Sequence, residues 1–77
     1  LQPGVSIGEN SLINTAVTID HHSIIGEAVH IAPGTTICGN VNIGNLCHVG
    51  PNSTILQGIT LKKETFIPAH TLVKENL

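Results

Sequence analysis

The chain is poor in aromatic and basic residues: its 77 residues include one aromatic side chain, Phe66, and three basic ones. A nucleic-acid-binding surface needs cations for phosphates and rings for bases, so this composition excludes nucleic acid as an expected partner. No apolar run approaches the roughly 18 residues of a membrane-spanning helix, and no charged-then-apolar signal segment opens the chain. We therefore expect a soluble segment that does not act on membranes.

Cysteine is also scarce. Cys38 and Cys47 are too few for a disulfide scaffold and lack the spacing of metal ligands. This usage is typical of a reducing compartment, and we expect a cytoplasmic protein.

What the chain does have is an aliphatic residue at every sixth position. An amphipathic helix would repeat its apolar residues every 3.6 positions, and a half-buried strand would repeat them every two. A short fixed period is instead typical of a solenoid. The series is Leu1, Ile7, Ile13, Ile19, Ile25, Ile31, Ile37, Ile43, Val49, Ile55, Leu61, Ile67 and Val73.

Each six-residue repeat, or hexad, predicts one side and one corner of a prism. Positions one and five carry aliphatic, small or β-branched residues and are expected to point inward. Positions three and four form the corner, where pairs such as Pro3-Gly4, Pro33-Gly34 and Pro51-Asn52 are typical of type II turns. Three hexads close a triangle of 18 residues, so the chain predicts about four coils. Because the chain lacks an initiator Met and stops at Leu77, the fifth position of a hexad, we expect it to be part of a longer protein.

Residues 18 apart should stack in columns along the prism. One outward column mixes two imidazoles with apolar side chains and predicts a covered surface, either a subunit interface or a ligand site. At a corner, His21 stands one coil before Gly39, which lacks a side chain and leaves room for a ligand to approach the backbone. The alternative is that His21 and His22 are simply exposed corner residues. The outward column is Leu12, His30, His48 and Phe66.

The segments INTAVTIDHH (13–22), IGEAVHIAPG (25–34) and GNV (39–41) are similar to one branch of the hexapeptide-repeat acyltransferases. That branch comprises sialic-acid O-acetyltransferases and bacillosamine or perosamine N-acetyltransferases. The resemblance implies an all-β fold, a left-handed parallel β-helix, as a single domain over residues 1–77. It also implies an N-terminal nucleotide-sugar-binding domain elsewhere in a longer chain, a homotrimer, and acetyl-CoA held between adjacent prisms.

The same resemblance implies roles for individual residues. His21 matches the general base, which would take a proton from a sugar amine or hydroxyl as it attacks the thioester in direct transfer. One departure stands out, because the residue after the base is usually acidic in this family and is His22 here. Asp20 and His22 are therefore the candidates for orienting His21 or modulating its basicity. The implied acetyl-CoA contacts are His30, Gly39, Pro51 and Ala69, and the implied substrate contact is Asn14.

Two other functions fit parts of the pattern. Hexapeptide-repeat carbonic anhydrases bind zinc through three histidines, two of them five residues apart, but the five histidines here stand at positions 21, 22, 30, 48 and 70. We therefore expect no metal. A scaffold in which the prism only trimerises remains the other alternative.

Overall fold

The computed structural model describes residues 3–77 as twelve short β-strands joined by tight corners. Each strand covers positions six and one of consecutive hexads. Nowhere in residues 3–77 is there a helix of the length and apolarity needed to span a bilayer. The strands are β1 Ser6–Ile7, β2 Leu12–Ile13, β3 Thr18–Ile19, β4 Ile24–Ile25, β5 His30–Ile31, β6 Thr36–Ile37, β7 Asn42–Ile43, β8 His48–Val49, β9 Thr54–Ile55, β10 Thr60–Leu61, β11 Phe66–Ile67 and β12 Leu72–Val73.

Every third strand pairs in parallel, so the chain builds three four-stranded sheets. Face A contains β1, β4, β7 and β10; face B contains β2, β5, β8 and β11; face C contains β3, β6, β9 and β12. The register joins residues 18 apart, as in Ser6 opposite Ile24 and Ile24 opposite Asn42. The expected prism of about four triangular coils is confirmed, with overall extents of 26 × 23 × 22 Å.

The sixfold series forms the core, as its period predicts. From Ile19 onward these side chains are buried, whereas Ile7 and Ile13 in the first coil are partly exposed. Leu1 lies outside the described residues. Position five also points inward along most of the chain, with Val29 and Val41 buried. Leu77, at the same hexad position in the last coil, is the exception and is 49% exposed.

Inward-pointing hydroxyl groups at position five connect neighbouring coils. Ser23 donates from Oγ to the carbonyl of Cys38 at 2.8 Å and accepts from the amide of Val41 at 3.1 Å. Ser11 and Ser53 make the same two kinds of hydrogen bond with the coil that follows them. Some backbone N–H and C=O groups at the corners are not paired between strands. The serine hydroxyls give them the hydrogen-bond partners that buried polar groups need.

The corners impose one backbone conformation on unlike residues. Position four has a positive φ at Gly4, Gly34 and Gly58 and at nine residues that are not glycine. Asparagine and glycine were expected there, but Ala16, Leu46 and others adopt it too. Such a residue costs about 1–2 kcal/mol relative to ordinary backbone. The packing of the coils therefore overrides local preference at these corners.

Candidate functional site

The C–A corners, which join face C to face A, bring together four of the predicted site residues. Asp20, His21 and His22 make the turn between β3 and β4, and Gly39 occupies the equivalent turn one coil later. The two coils are linked by the amide of Asn40, which donates to the carbonyl of His21 at 3.0 Å. Both imidazoles are exposed, since positions three and four point away from the core.

Each of the two imidazole rings packs over a glycine of an adjacent coil. A Cβ on Gly39 would lie 2.8 Å from Cε1 and 3.0 Å from Nε2 of His21. A Cβ on Gly4 would lie 2.7 Å from Cδ2 of His22. The space above Gly39, which the sequence suggested for a ligand, is thus filled by the His21 ring, and Gly39 is buried. Contact between a ligand and the Gly39 backbone requires that ring to move.

The two rings also meet one another. Nδ1 of His22 lies 3.3 Å from Nδ1 of His21, within hydrogen-bonding distance, and the ring centroids are 5.5 Å apart at an interplanar angle of 75°. Which ring donates depends on the tautomers. The corner is therefore a pair of exposed imidazoles joined through one nitrogen of each.

Asp20, the other candidate for orienting the base, contacts the backbone of His21. Its Oδ1 accepts a hydrogen bond from the His21 amide at 2.7 Å. This local capping of a turn is a common use of aspartate. Of the two candidates, His22 is the one in contact with the His21 ring.

The outward column on face B is continuous. Its four side chains stack in the register Leu12, His30, His48, Phe66. The His30 and His48 rings meet edge to face with centroids 4.6 Å apart, and the His48 and Phe66 rings lie 5.3 Å apart at 33°. Leu12 is 55% exposed and Phe66 65% exposed. We call this column the face B stripe.

His30 has an unsatisfied nitrogen within the face B stripe. Its Nε2 is buried and is the one side-chain nitrogen or oxygen in residues 3–77 found both buried and without a hydrogen-bond partner. Leaving such a group unpaired costs about 1–3 kcal/mol. A ligand would reach this nitrogen only after the His30 ring changed its orientation, because Nε2 is buried.

The remaining predicted residues lie at the B–C corners, between faces B and C. Asn14 is partly buried, and its Oδ1 accepts from the Thr15 amide at 2.7 Å. Pro51 and Ala69 are exposed and occupy equivalent positions in successive coils, where the carbonyl of Pro51 accepts from the His70 amide at 2.9 Å. The B–C corner thus carries backbone along which an elongated ligand could lie.

The predicted residues therefore fall in three places around the prism. Because the faces follow one another as A, B and C, the C–A corner with His21 is opposite face B with His30. One chain does not bring these two histidines together. A pocket of about 280 Å³ at the last coil is lined by 71–75 and Leu77 and contains none of the predicted residues.

The structure adds Gly4 to the C–A corner, a residue that the sequence interpretation missed. The signal was available, since Gly4 and His22 are 18 residues apart, as are His21 and Gly39. Across residues 3–77, no group of three or more His, Cys, Asp or Glu side chains is placed to hold a metal ion.

Comparison with known proteins identifies the fold and the repeat. A family described as "Bacterial transferase hexapeptide (six repeats)" matches residues 22–57, which include β4 to β9. The acetyltransferase domain of PglB from Neisseria gonorrhoeae superimposes with a TM-score of 0.86 at 23% identity, over 99% of this chain and 46% of that one. No curated protein matches the sequence. The chain is a hexapeptide-repeat solenoid, and the expected left-handed β-helix is confirmed. It spans less than half of the PglB domain chain.

Proposed function

We propose that this β-helix is the catalytic part of an acetyl-CoA-dependent acetyltransferase whose acceptor is an amino sugar or a sialic-acid-type sugar. The observation that carries the proposal is the C–A corner, where the exposed His21 ring lies over Gly39 and contacts a second imidazole. The match to bacterial transferase hexapeptide repeats and the PglB acetyltransferase-domain fold support the same reaction class.

In the proposed reaction, His21 acts as general base. It takes a proton from the sugar amine or hydroxyl while that nitrogen or oxygen bonds to the thioester carbonyl carbon. The tetrahedral oxyanion is stabilised by backbone N–H groups at the corner. Its collapse breaks the carbon–sulfur bond, and the coenzyme sulfur leaves as a thiol after receiving the proton from His21.

Direct transfer is favoured over an acyl-enzyme because, in residues 3–77, neither cysteine combines an exposed thiol with a hydrogen bond to an imidazole. Cys47 is 1% exposed in the core, and its thiol donates to the carbonyl of Lys62 at 3.1 Å. Cys38 is only partly exposed. An attacking thiolate needs access to its substrate and a partner that activates it.

The proposed coenzyme contacts extend from face B to the B–C corner. His30 supplies an imidazole whose Nε2 lacks a partner, and the corner backbone near Pro51 and Ala69 supplies polar groups. Since His21 lies on the opposite side of the prism, we place the site between two copies, in a homotrimer. The exposed face B stripe supports such an interface. Asn14 is proposed to contact the acceptor sugar.

Acetyl transfer by the full-length protein tests the reaction. Amino sugars and sialic acids would be incubated with acetyl-CoA, and thiol release and product mass would be measured. His21→Ala should lower the rate by about 10²–10⁴-fold. Gln57→Ala, an exposed residue in the same corner column two coils away, should leave it unchanged. Full activity in His21→Ala would refute the assignment of the base.

Calorimetric titration with acetyl-CoA tests the binding site and the scaffold alternative together. His30→Ala should weaken binding, whereas Thr36→Ala, an exposed strand residue on face C, should not. A protein that only trimerises would show no saturable binding at all. Zinc in stoichiometric amount in the purified protein would favour the metal-dependent alternative instead.

A further inference from the structure

The residue that holds the His21 ring in a reactive state is not assigned by the resemblance, because an acidic residue is expected where His22 stands. We propose that His22 is a positioning residue: its Nδ1 accepts a hydrogen bond from Nδ1–H of His21, which leaves Nε2 of His21 unprotonated. This inference rests on the proposed role of His21 as the general base.

The contact between the two nitrogens limits the tautomers to two arrangements. A neutral imidazole carries one N–H and one bare nitrogen, so two Nδ1 atoms 3.3 Å apart attract only when one is protonated and the other is not. If His22 donates, the proton of His21 is on Nε2, and that nitrogen cannot accept another. If His21 donates, its Nε2 is bare and can act as the base.

A glycine lies against each of the two rings. Gly39, one coil later, lies under the His21 ring, and Gly4, one coil earlier, lies under the His22 ring. Side chains at these two positions would push the rings away from their present places. The arrangement therefore consists of two histidines and two glycines, and only the histidines take part in the proton transfer.

Proton uptake strengthens the proposed hydrogen bond. When Nε2 of His21 accepts the substrate proton, the ring becomes an imidazolium whose Nδ1–H faces a neutral acceptor, and such charge-assisted bonds are stronger than neutral ones. The other titratable groups near the pair are Asp20, on the same turn, and Cys38, one coil later.

Two substitutions of His22 distinguish a positioning role from a structural one, and both replacement residues already occur at position four of other hexads. Position four has a positive φ at His22, and the same conformation is adopted by Ala16 at 60° and by Glu64 at 63°. His22→Ala removes the hydrogen-bond acceptor while keeping a residue that this turn accommodates elsewhere in the chain. His22→Glu supplies a carboxylate that can accept the same hydrogen bond from His21.

Steady-state kinetics of the full-length protein should separate the two variants. His22→Ala should lower kcat by about 10–100-fold with little change in KM for acetyl-CoA, which is the rate equivalent of one hydrogen bond to a charged group. His22→Glu should recover most of the rate. Its carboxylate stabilises the imidazolium, so the acidic limb of the pH profile should lie at higher pH than in His22→Ala. Full activity of His22→Ala with an unchanged pH profile would overturn the proposal.

Nitrogen-15 NMR of the histidine rings gives a test that is independent of turnover. At neutral pH, His21 should carry its proton on Nδ1 and His22 on Nε2, with the exposed corner residue His70 as an internal reference. A proton on Nε2 of His21 would refute the inference even if His21→Ala were inactive. Full activity of His21→Ala would instead refute the proposed function, whatever the tautomers.

Discussion

Ser23→Ala should destabilise the C–A corner more than the loss of a single oxygen atom suggests. The Ser23 side chain is fully buried, and its hydroxyl both donates to the carbonyl of Cys38 and accepts from the amide of Val41. Alanine removes both hydrogen bonds. The two backbone groups flank Gly39, so this hydroxyl also fixes the turn on which the His21 ring rests.

The size of this destabilisation follows from the two backbone groups that lose their hydrogen-bond partner, the carbonyl of Cys38 and the amide of Val41. A buried donor or acceptor without a partner costs about 1–3 kcal/mol, and Val41 is itself fully buried. We expect a loss of about 2–4 kcal/mol in the free energy of unfolding, because the two backbone groups relax only in part. This is a large share of the total for a protein stable by about 5–15 kcal/mol.

Urea unfolding followed by circular dichroism measures this loss, at one fixed protein concentration because the stability of the proposed trimer would depend on it. Hydrogen exchange of the Val41 amide should accelerate selectively. Ser6→Ala is the matched control, since Ser6 is exposed on β1, and it should change stability by less than about 0.5 kcal/mol. A Ser23→Ala protein as stable as this control, with the Val41 amide still protected, would refute the reasoning.

Two further pairs of substitutions test the packing on which the site depends. Gly39→Ala places a Cβ within 3.2 Å of three ring atoms of His21, so displacement of the ring should lower acetyl transfer by up to about 100-fold. Gly58→Ala, on the same corner one coil later, meets open space but has a φ of +79°, so it should cost about 1–2 kcal/mol of stability without affecting the rate. Ile37→Ala should cost about 2–5 kcal/mol in urea unfolding because Ile37 is fully buried, whereas the adjacent outward Thr36→Ala should cost far less. Equal effects within either pair would contradict the geometry.

The period of the sequence predicts the fold because an aliphatic residue recurs at the same inward position of every hexad. Ile19, Ile37 and Ile55 follow at intervals of 18, form one column and are each at most 1% exposed. The stacking of Leu12, His30, His48 and Phe66 follows from the same arithmetic. A register error by one residue would expose every one of the aliphatic side chains.

The chemistry of the corners is less predictable, because it depends on side-chain directions rather than on periodicity. Nothing in the order Asp20-His21-His22 reveals that the carboxylate caps the backbone while the second imidazole meets the first. The positive φ of Ala16 and Leu46 is likewise imposed by the coils and not by those residues. Hydrogen bonds such as those of Ser23 connect residues 15 and 18 apart, so local patterns do not show them.

The separation of His21 and His30 leads to a test of the assembly. They lie on a corner and on the face opposite to it, so a site that uses both needs the corner of one copy and face B of another. In that case, mixed oligomers of two impaired variants should regain activity. A subunit with His30→Ala still supplies His21, and a neighbour with His21→Ala still supplies His30.

The expected recovery can be calculated for a trimer that exchanges subunits at random. In an equal mixture, about half of the corners carry an intact His21 and about half of the facing surfaces carry an intact His30, so about one quarter of the sites are complete. The assay would use acetyl-CoA below saturation, where His30→Ala is impaired. As the control, each variant alone would be taken through the same subunit-exchange procedure. Activity near one quarter of the unmutated protein supports a site shared between copies. Because no single chain in the mixture carries both histidines, a site contained within one prism would give no recovery beyond the average of the two parents.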